Sequence, residues 1–272
     1  MERVSMAGLA FTRAVSPKLA DCALTHLTRT PIDAGTASLQ HDAYEQALRG
    51  AGFDVIRLPD LVDYPDGVFV EDTALLINGH AIITRPGVAS RAGEVESTAS
   101  GLANHFEVHR IEGGHIDGGD VLRIGTTLYV GLSSRSDVDG VFELKQVAAK
   151  LGFDVETVHL RNCLHLKTVA TLAGRDTAGR LVLLYNRHAV DPEQFAGVEA
   201  LAVHEAEPSG ANVARAGSQV IIPARNERTA GLLAERGFEV VEVDVSELEK
   251  AEAGVTCMSL ISEGSKPGAP SR

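Results

Sequence analysis

Four residues whose side chains can carry out chemistry stand at nearly equal intervals along this chain of 272 residues. An acid, a histidine, an amide and a thiol occur at Asp117, His165, Asn212 and Cys257, which are 48, 47 and 45 positions apart. A cysteine thiolate is a strong nucleophile when a base or a cation lies beside it. The pattern therefore predicts a cysteine nucleophile with a His–Asp partner, on the condition that the chain folds so that equivalent positions meet.

A sequence repeat of about 50 residues would meet that condition if the repeats were arranged radially. A helical pattern ends near Gly or Asn, and an alternating apolar strand then begins around Phe53, Phe106, Phe153 and Phe238. Runs rich in Val, Ile, Leu and Thr lie between these segments, so that each unit reads strand, strand, helix, strand. Such a period indicates stacked or radial repeats. A radial α/β arrangement would bring equivalent strand ends to one axis, where Asp72 and Asp120, 48 positions apart, would also meet.

Each catalytic candidate taken alone also has a purely structural explanation. Cys257 precedes a short apolar run, which is typical of a buried core cysteine. His165 lies between two leucines, as many core histidines do. The segment Asp117-Gly118-Gly119-Asp120 is typical of a turn, although its glycines can also bring backbone close to a flat ligand.

An adjacent pair of acids, Glu71 and Asp72, follows an apolar triplet. We predict a strand from Val68 to Ile77, which would direct one of the two carboxylates toward the core. A buried carboxylate costs several kcal/mol unless it is paired. A guanidinium ligand would pair with it through two parallel hydrogen bonds. The alternative is a strand end with both acids in water.

Composition excludes several other functions. The net charge of −12, without a cluster of Lys or Arg, argues against a nucleic-acid partner. Three cysteines without a C-x-x-C pair argue against a disulfide framework or a zinc knuckle and favour a reducing, cytoplasmic location. No apolar run approaches the ~18 residues of a membrane span. Phosphate-loop, dinucleotide and zincin motifs are absent from the sequence.

Several motifs, taken together and in order, resemble the dimethylarginine dimethylaminohydrolase family of the guanidine-modifying pentein superfamily. The similarity runs nearly end to end. The matching segments are Arg13 to Leu24, Pro65 to Asp72, Ile83 to Arg91, Asp117 to Leu122, Val130 to Ser133 with Arg135, and Ser246 to Lys250 leading to Thr256-Cys257. The resemblance implies a five-bladed α/β-propeller of ββαβ units. We expect residues 1–262 to form a single pentein catalytic domain and residues 263–272 to form a flexible tail.

The same resemblance implies a role for each site residue. Cys257 would be the nucleophile, His165 the general acid and base, and Asp117 the group that orients His165. The substrate would be held by Asp66, Glu71 and Asp72 at its guanidinium and amine, by Arg91 and Arg135 at its α-carboxylate, and by Leu24 and the backbone of Ala251, which would close over it. Arg85 competes for the role of Arg91. The resemblance implies neither a metal nor another cofactor.

The activity implied is hydrolysis of dimethylarginine to citrulline and dimethylamine through a covalent thiouronium on Cys257. An arginine deiminase that releases ammonia is the nearest alternative, although 272 residues leave little room for its usual helical insertion. A non-catalytic pentein and a thiol–disulfide sensor using Cys163 and Cys257 are further alternatives. We expect a small guanidino substrate, neither nucleic acid nor membrane as a partner, and a homodimer as an assembly to be tested.

Overall fold

The computed structural model describes residues 8–262, which form fifteen strands and six α-helices. The strands are β1 Gly8–Thr12, β2 Phe53–Arg57, β3 Ala74–Ile77, β4 His80–Ile83, β5 Glu107–Arg110, β6 Val121–Ile124, β7 Thr127–Gly131, β8 Asp154–Val158, β9 Ala170–Arg175, β10 Leu181–Tyr185, β11 Glu199–Ala202, β12 Ala214–Ala216, β13 Gln219–Pro223, β14 Glu239–Val243 and β15 Leu260–Ser262. The helices are α1 Ala34–Gly50, α2 Glu94–Leu102, α3 Val138–Lys150, α4 Leu166–Val169, α5 Glu227–Glu235 and α6 Ser246–Glu249. The predicted tail, residues 263–272, lies outside the described residues.

The strands form five sheets of three strands each. In every sheet the first strand pairs antiparallel with the second, and the second pairs parallel with the third. The sheets are β3-β4-β5, β6-β7-β8, β9-β10-β11, β12-β13-β14 and β15-β1-β2. The last sheet joins the two ends of the described chain, because β15 pairs with β1. The five-bladed α/β architecture that the family resemblance implies is therefore the one observed.

The crossover to the third strand is helical in four of the sheets and shortened in one. Helices α1, α2, α3 and α5 precede β2, β5, β8 and β14, as parallel pairing requires. In the β9-β10-β11 sheet a 3₁₀ turn, Pro192–Gln194, replaces the helix. The prediction of one helix per unit was wrong for this sheet. In agreement with this, the sequence has no helical pattern ending in Gly and Phe between Phe153 and Phe238.

The repeated phenylalanines are core residues. Phe53, Phe106, Phe153 and Phe238 are each at least nine-tenths buried between a sheet and its crossover helix. Burying such a side chain contributes about 1.5–3 kcal/mol. The repeat in the sequence is therefore a packing signal of the blades, and it carries no chemistry of its own.

The first strands of the five sheets meet around a central cavity of about 250 Å³. Residues of β3, β6, β9, β12 and β15 all line it, which makes the repeat radial. Glu71, Lys167 and Thr256 lie at its wall as well. Among residues 8–262, no helix is both long and apolar enough to cross a membrane.

Candidate active site

Short helical turns carry the candidate residues to the axis. The turn Val70–Thr73 precedes β3, and the turn Gly118–Asp120 precedes β6. His165 caps α4, which precedes β9, and Asn212 follows the turn Pro208–Ala211, which precedes β12. Because each turn occupies the same place in its blade, the spacings of 45 to 48 residues place these side chains around one point. The predicted strand at Glu71 and Asp72 was wrong. Strand β3 begins only at Ala74, and burial on all sides, rather than strand geometry, explains the apolar triplet.

His165 and Asp117 lie together in the interior. Nε2 of His165 is 3.0 Å from Oδ2 of Asp117, and Nδ1 is 3.8 Å from Oδ1 of Asp72. Burial by itself would lower the pKa of His165. The carboxylates of Asp72, Asp117 and Asp120 outweigh burial and raise that pKa to about 9. The ring is therefore an imidazolium at neutral pH and can donate a proton.

Asp117 contacts the ring of this histidine, and Asp120 holds the backbone of the residue that follows it. The backbone N–H of Gly87 donates to Oδ1 of Asp117 at 2.9 Å. The backbone N–H of Leu166 donates to Oδ1 of Asp120 at 3.0 Å, and the hydroxyls of Ser133 and Ser136 donate to its Oδ2. Asp120 thereby anchors the start of α4. Sequence reasoning noted the spacing of Asp120 but assigned it no role.

The glycines between these two acids allow a close approach of backbone and side chains. A Cβ at Gly119 would lie 2.7 Å from Oδ1 of Asp72 and 2.8 Å from Nδ1 of His165. The N–H of Gly119 itself donates to Oδ1 of Asp72 at 3.1 Å. The loop is thus a tight turn, as predicted, and it also brings backbone against the site.

Three further carboxylates are buried near the axis, where Asp66, Glu71 and Asp72 expose 6%, 7% and 4% of their surface. Nζ of Lys167 lies 2.6 Å from Oε1 of Glu71, and the Thr256 hydroxyl donates to Oε2 at 2.8 Å. Burial nevertheless raises the pKa of Glu71. Burial also raises the pKa of Asp66, whose carboxylate accepts the N–H of Ala23. Sequence reasoning missed Lys167, since a lysine on a four-residue helix gives no signal of its partner.

The pKa of Asp72 moves in the opposite direction. Burial would raise it, but the charges of His165 and Arg91 prevail and lower it. Arg91 donates from Nη1 to Asp72, from Nε and Nη2 to Glu94, and from Nη2 to the carbonyl of Phe69. One N–H on Nη1 is left for any other acceptor. Arg91 therefore holds Asp72 in place, with Glu94 as a partner that sequence reasoning missed.

The other two arginines differ in position. Arg135 is buried, with Nη1 3.8 Å from Oδ2 of Asp117 and Nη2 donating to the hydroxyl of Thr25. Arg85 is exposed and donates to the carbonyl of Gly114 at 3.0 Å. Arg91 and Arg85 were both candidates for holding the α-carboxylate together with Arg135. Arg91 contacts Asp72 in the buried carboxylate cluster. Arg85 instead contacts Gly114, in the loop before Asp117.

Cys257 is partly buried, and its Sγ lies 3.5 Å from the backbone nitrogen of Gly254 and 3.9 Å from Oγ1 of Thr256. Burial and the negative charges of Glu71 and Asp72 raise the pKa of Cys257 to about 12. In residues 8–262 no hydrogen bond joins Sγ to His165. At neutral pH the residue is therefore a thiol, held in that form by burial and by the nearby charges of Glu71 and Asp72.

Asn212 ties the Cys257 segment to α4. Its Nδ2 donates to the carbonyl of Lys167 and to Oγ1 of Thr256, and its Oδ1 accepts the N–H of Thr256. The amide predicted to line the site thus positions the residue beside the thiol.

The segment around Leu24 packs against the Ala251 region. Leu24 is partly buried on the apolar cluster that contains Ala251. The backbone N–H groups of Thr25, His26 and Leu27 all donate to the carboxylate of Glu252. Glu252 has a φ of +60°, a left-handed backbone conformation that is uncommon for a residue other than glycine. Sequence reasoning missed Glu252, because neither its type nor its spacing marks it.

Comparisons with known proteins show which family the chain resembles. Residues 96–184 match the arginine deiminase family model. The chain is 38% identical over 254 residues to an N(G),N(G)-dimethylarginine dimethylaminohydrolase of Streptomyces coelicolor, covering 92% of this chain and 95% of that protein. It is 36% identical over 231 residues to the enzyme of that name from Pseudomonas aeruginosa, covering 84% and 89%.

Solved structures share the fold of this chain. The P. aeruginosa enzyme, as a cysteine-to-serine variant complexed with citrulline, superposes with a TM-score of 0.87 at 34% identity, covering 94% of this chain and 99% of that one. The N-terminal domain of ArgZ, an arginine dihydrolase of cyanobacteria, has a TM-score of 0.77 at 19% identity, covering 94% and 97%, and shares the fold.

The five-bladed α/β fold, with acids, a histidine and a cysteine gathered at its axis, defines a guanidine-modifying pentein. Within that class, the chain belongs to the dimethylarginine dimethylaminohydrolase family.

Proposed function

We propose that this protein hydrolyses Nω-methylated arginines to citrulline and a methylamine, with Cys257 as the nucleophile. The observation that carries the proposal is the electrostatics of Cys257. Burial and the charges of Glu71 and Asp72 raise the pKa of its thiol, which therefore stays protonated until a cation enters. A guanidinium is such a cation, and its central carbon is the electrophile that a thiolate would attack. The family relatives support the same reaction class.

Substrate binding would use the buried acids. Asp66, Glu71 and Asp72 would hold the guanidinium and the substrate amine, since buried carboxylates accept paired N–H donors. Arg135 would hold the α-carboxylate from its place beside Thr25, and Arg91 would add its remaining Nη1 N–H. Leu24 and the backbone of Ala251 would cover the ligand.

The first half of the reaction would displace the amine. The bound cation lowers the pKa of Cys257, whose proton leaves to solvent, and the thiolate attacks the guanidinium carbon. The tetrahedral adduct then collapses. The C–N bond to dimethylamine breaks, and the His165 imidazolium donates a proton to the departing nitrogen. A thiouronium on Cys257 and a neutral His165 result.

The second half would release citrulline. His165, now neutral, takes a proton from water as the water oxygen attacks the thiouronium carbon. The C–S bond breaks, the hydroxyl proton of the adduct passes to the departing sulfur, and citrulline leaves. The Cys257 thiol and the His165 imidazolium of the resting protein are thereby restored. Asp117 keeps Nε2 oriented through both steps, and its charge favours the imidazolium.

A second candidate function is an arginine deiminase that releases ammonia, because residues 96–184 match the family model of that name. A substrate series distinguishes the two. The purified protein is incubated with arginine, monomethylarginine and asymmetric dimethylarginine, and citrulline, ammonia and methylamines are quantified. The proposal predicts higher kcat/KM for the methylated substrates, with equal amounts of citrulline and methylamine. Faster release of ammonia from arginine would establish the second candidate.

We propose further that residues 1–262 act as a single pentein catalytic domain in the cytoplasm. Homodimerisation also stays a prediction. Light scattering coupled to size-exclusion chromatography would give a mass near 57 kDa for a dimer, twice the 28.7 kDa of the chain.

A further inference from the structure

Two histidines and a glutamate converge on one face of the β3-β4-β5 sheet. His80 opens β4 and Glu107 opens β5, and the parallel register places them side by side. His109 follows Glu107 by two residues, so it points to the same face of β5. These three residues and the catalytic group Asp72, Asp117 and His165 are the clusters within residues 8–262 whose donor atoms lie close enough to hold a metal ion.

The distances among the donors match a tetrahedral site. Nε2 of His109 lies 3.1 Å from Nδ1 of His80. The carboxylate of Glu107 lies 3.6 Å from Nδ1 of His80 and 3.9 Å from Nε2 of His109. Around a tetrahedral Zn²⁺ with bonds of about 2.0–2.1 Å, neighbouring ligand atoms are about 3.3 Å apart. The nitrogens already have that separation within a few tenths of an ångström. The Glu107 side chain is 65% exposed, which leaves it room to move closer.

We propose that His80 Nδ1, His109 Nε2 and the Glu107 carboxylate bind a divalent transition-metal ion of the Zn²⁺ class, with water as the fourth ligand. Two imidazoles and one carboxylate suit this class and do not suit Mg²⁺ or Ca²⁺, which prefer oxygen donors. The imidazole side chains are 18% and 26% exposed, so that an ion can enter directly from solvent.

This site is separate from the catalytic centre. The catalytic turn Val70–Thr73 lies at the start of β3, whereas His80 follows the Asn78-Gly79 hairpin at its other end. A four-residue strand spans about 13 Å. A metal ion here cannot share donors with Cys257 or His165. It would instead tie β4 to the outer strand β5, so the expected consequence is higher stability with kcat unchanged.

Motif analysis does not find this site because the donors lie 27 residues apart on two strands. Without a metal, the short N···N separation is explained by a hydrogen bond in which one imidazole donates to the other. If the protein binds no metal ion at these residues, the pair is this hydrogen bond alone.

The experiment titrates Zn²⁺ by calorimetry into the Cys257→Ser protein, in which the catalytic thiol cannot compete. Co²⁺ is used in parallel for its visible spectrum. One ion per chain is expected, together with a Zn²⁺-dependent rise in Tm. His80→Ala and His109→Ala should each weaken binding at least tenfold and abolish the rise in Tm. His188→Ala, at an exposed histidine in the turn that follows β10, should change neither.

The opposite results would overturn the proposal. These are absence of binding in the Cys257→Ser protein, or Zn²⁺ binding and a Tm rise that persist in both His80→Ala and His109→Ala. Circular dichroism spectra of the variants establish that each is folded. Because the titration needs no turnover, its failure would leave the proposed hydrolase function untouched, and the reverse also holds.

Discussion

Nε2 of His165 lies 3.0 Å from Oδ2 of Asp117 in the interior of the protein, and this contact helps to raise the pKa of His165 to about 9. The carboxylates around His165 therefore keep its ring protonated before any substrate binds. The acid that the leaving amine requires is present in the resting protein, whereas the nucleophile is still a thiol.

Replacing Asp117 with Asn removes a negative charge from His165 and should lower its pKa. Since the imidazolium is the form that donates the proton, activity is lost as pH rises through the pKa of His165. We expect the alkaline limb of the kcat profile to move to lower pH, and kcat near neutral pH to fall by about 10²-fold or more. Asp137→Asn, at a surface carboxylate beside His115, is the matched control. An unchanged alkaline limb would contradict the role of Asp117.

The Lys167–Glu71 pair can be tested by removing each partner. Lys167→Met leaves Glu71 buried without its ion pair, which should cost about 3 kcal/mol of unfolding free energy. Glu71→Gln alone should abolish tight substrate binding. The double variant should recover most of the stability without recovering activity. Urea unfolding and KM measurements give both quantities. Equal stability of Lys167→Met and the native protein would show that the pair contributes nothing to the fold.

Glu252 should act on substrate affinity through the segment that carries Leu24. Its carboxylate accepts three successive backbone N–H groups from Thr25 to Leu27. In Glu252→Gln the charge is lost, and hydrogen bonds to a charged group contribute about 1.5–3 kcal/mol each. We expect KM to rise about tenfold and hydrogen exchange at residues 24–27 to accelerate. Glu205→Gln, at an exposed acid, should change neither; unaltered exchange in Glu252→Gln would remove the basis for this role.

The low pKa of buried His41 should make the free energy of unfolding depend on pH. Burial lowers the pKa of His41 to about 4, and within residues 8–262 its Nε2 has no hydrogen-bonding partner. The unfolded chain takes up a proton near pH 6.5, while the folded chain does not until about pH 4. The stabilisation is therefore complete above pH 6.5 and is lost as pH falls toward 4, by about 3 kcal/mol.

Urea unfolding between pH 4 and 7 measures this loss. His41→Leu should flatten the dependence of the unfolding free energy on pH, whereas His188→Ala should leave it unchanged. An equally steep dependence in His41→Leu would mean that other groups are responsible. His165 acts in the opposite direction. With its pKa raised to about 9, its contribution is complete below pH 6.5 and is lost as pH rises through 9.

The radial fold was predictable from the sequence because the packing signal repeats. Buried phenylalanines at Phe53, Phe106, Phe153 and Phe238 mark the third strands of four blades. In the β9-β10-β11 sheet, where the crossover helix is absent, the pattern of a helix followed by Gly and Phe is absent from the sequence as well. Side chains that must fill equivalent places in a core leave a period in the sequence, and an irregular blade leaves none.

The candidate site was predictable only in part. The types and spacing of Asp117, His165 and Cys257 gave the chemistry, since equal spacing becomes proximity in a radial fold. The partners Lys167, Glu94 and Glu252 left no such trace. Their contacts join segments at unequal separations, from 3 residues for Arg91–Glu94 to 227 for Thr25–Glu252. Only the packed structure brings such residues together.

The covalent intermediate on Cys257 offers the most direct test of the central claim. The protein is mixed with excess asymmetric dimethylarginine, quenched in acid within the first turnovers, and examined by intact-mass and peptide mass spectrometry. We predict an adduct equal to the substrate minus dimethylamine on the Cys257 peptide of the native and Cys163→Ser proteins. The Cys257→Ser protein should show no adduct and form no citrulline. Citrulline formation by Cys257→Ser at the native rate would contradict the account.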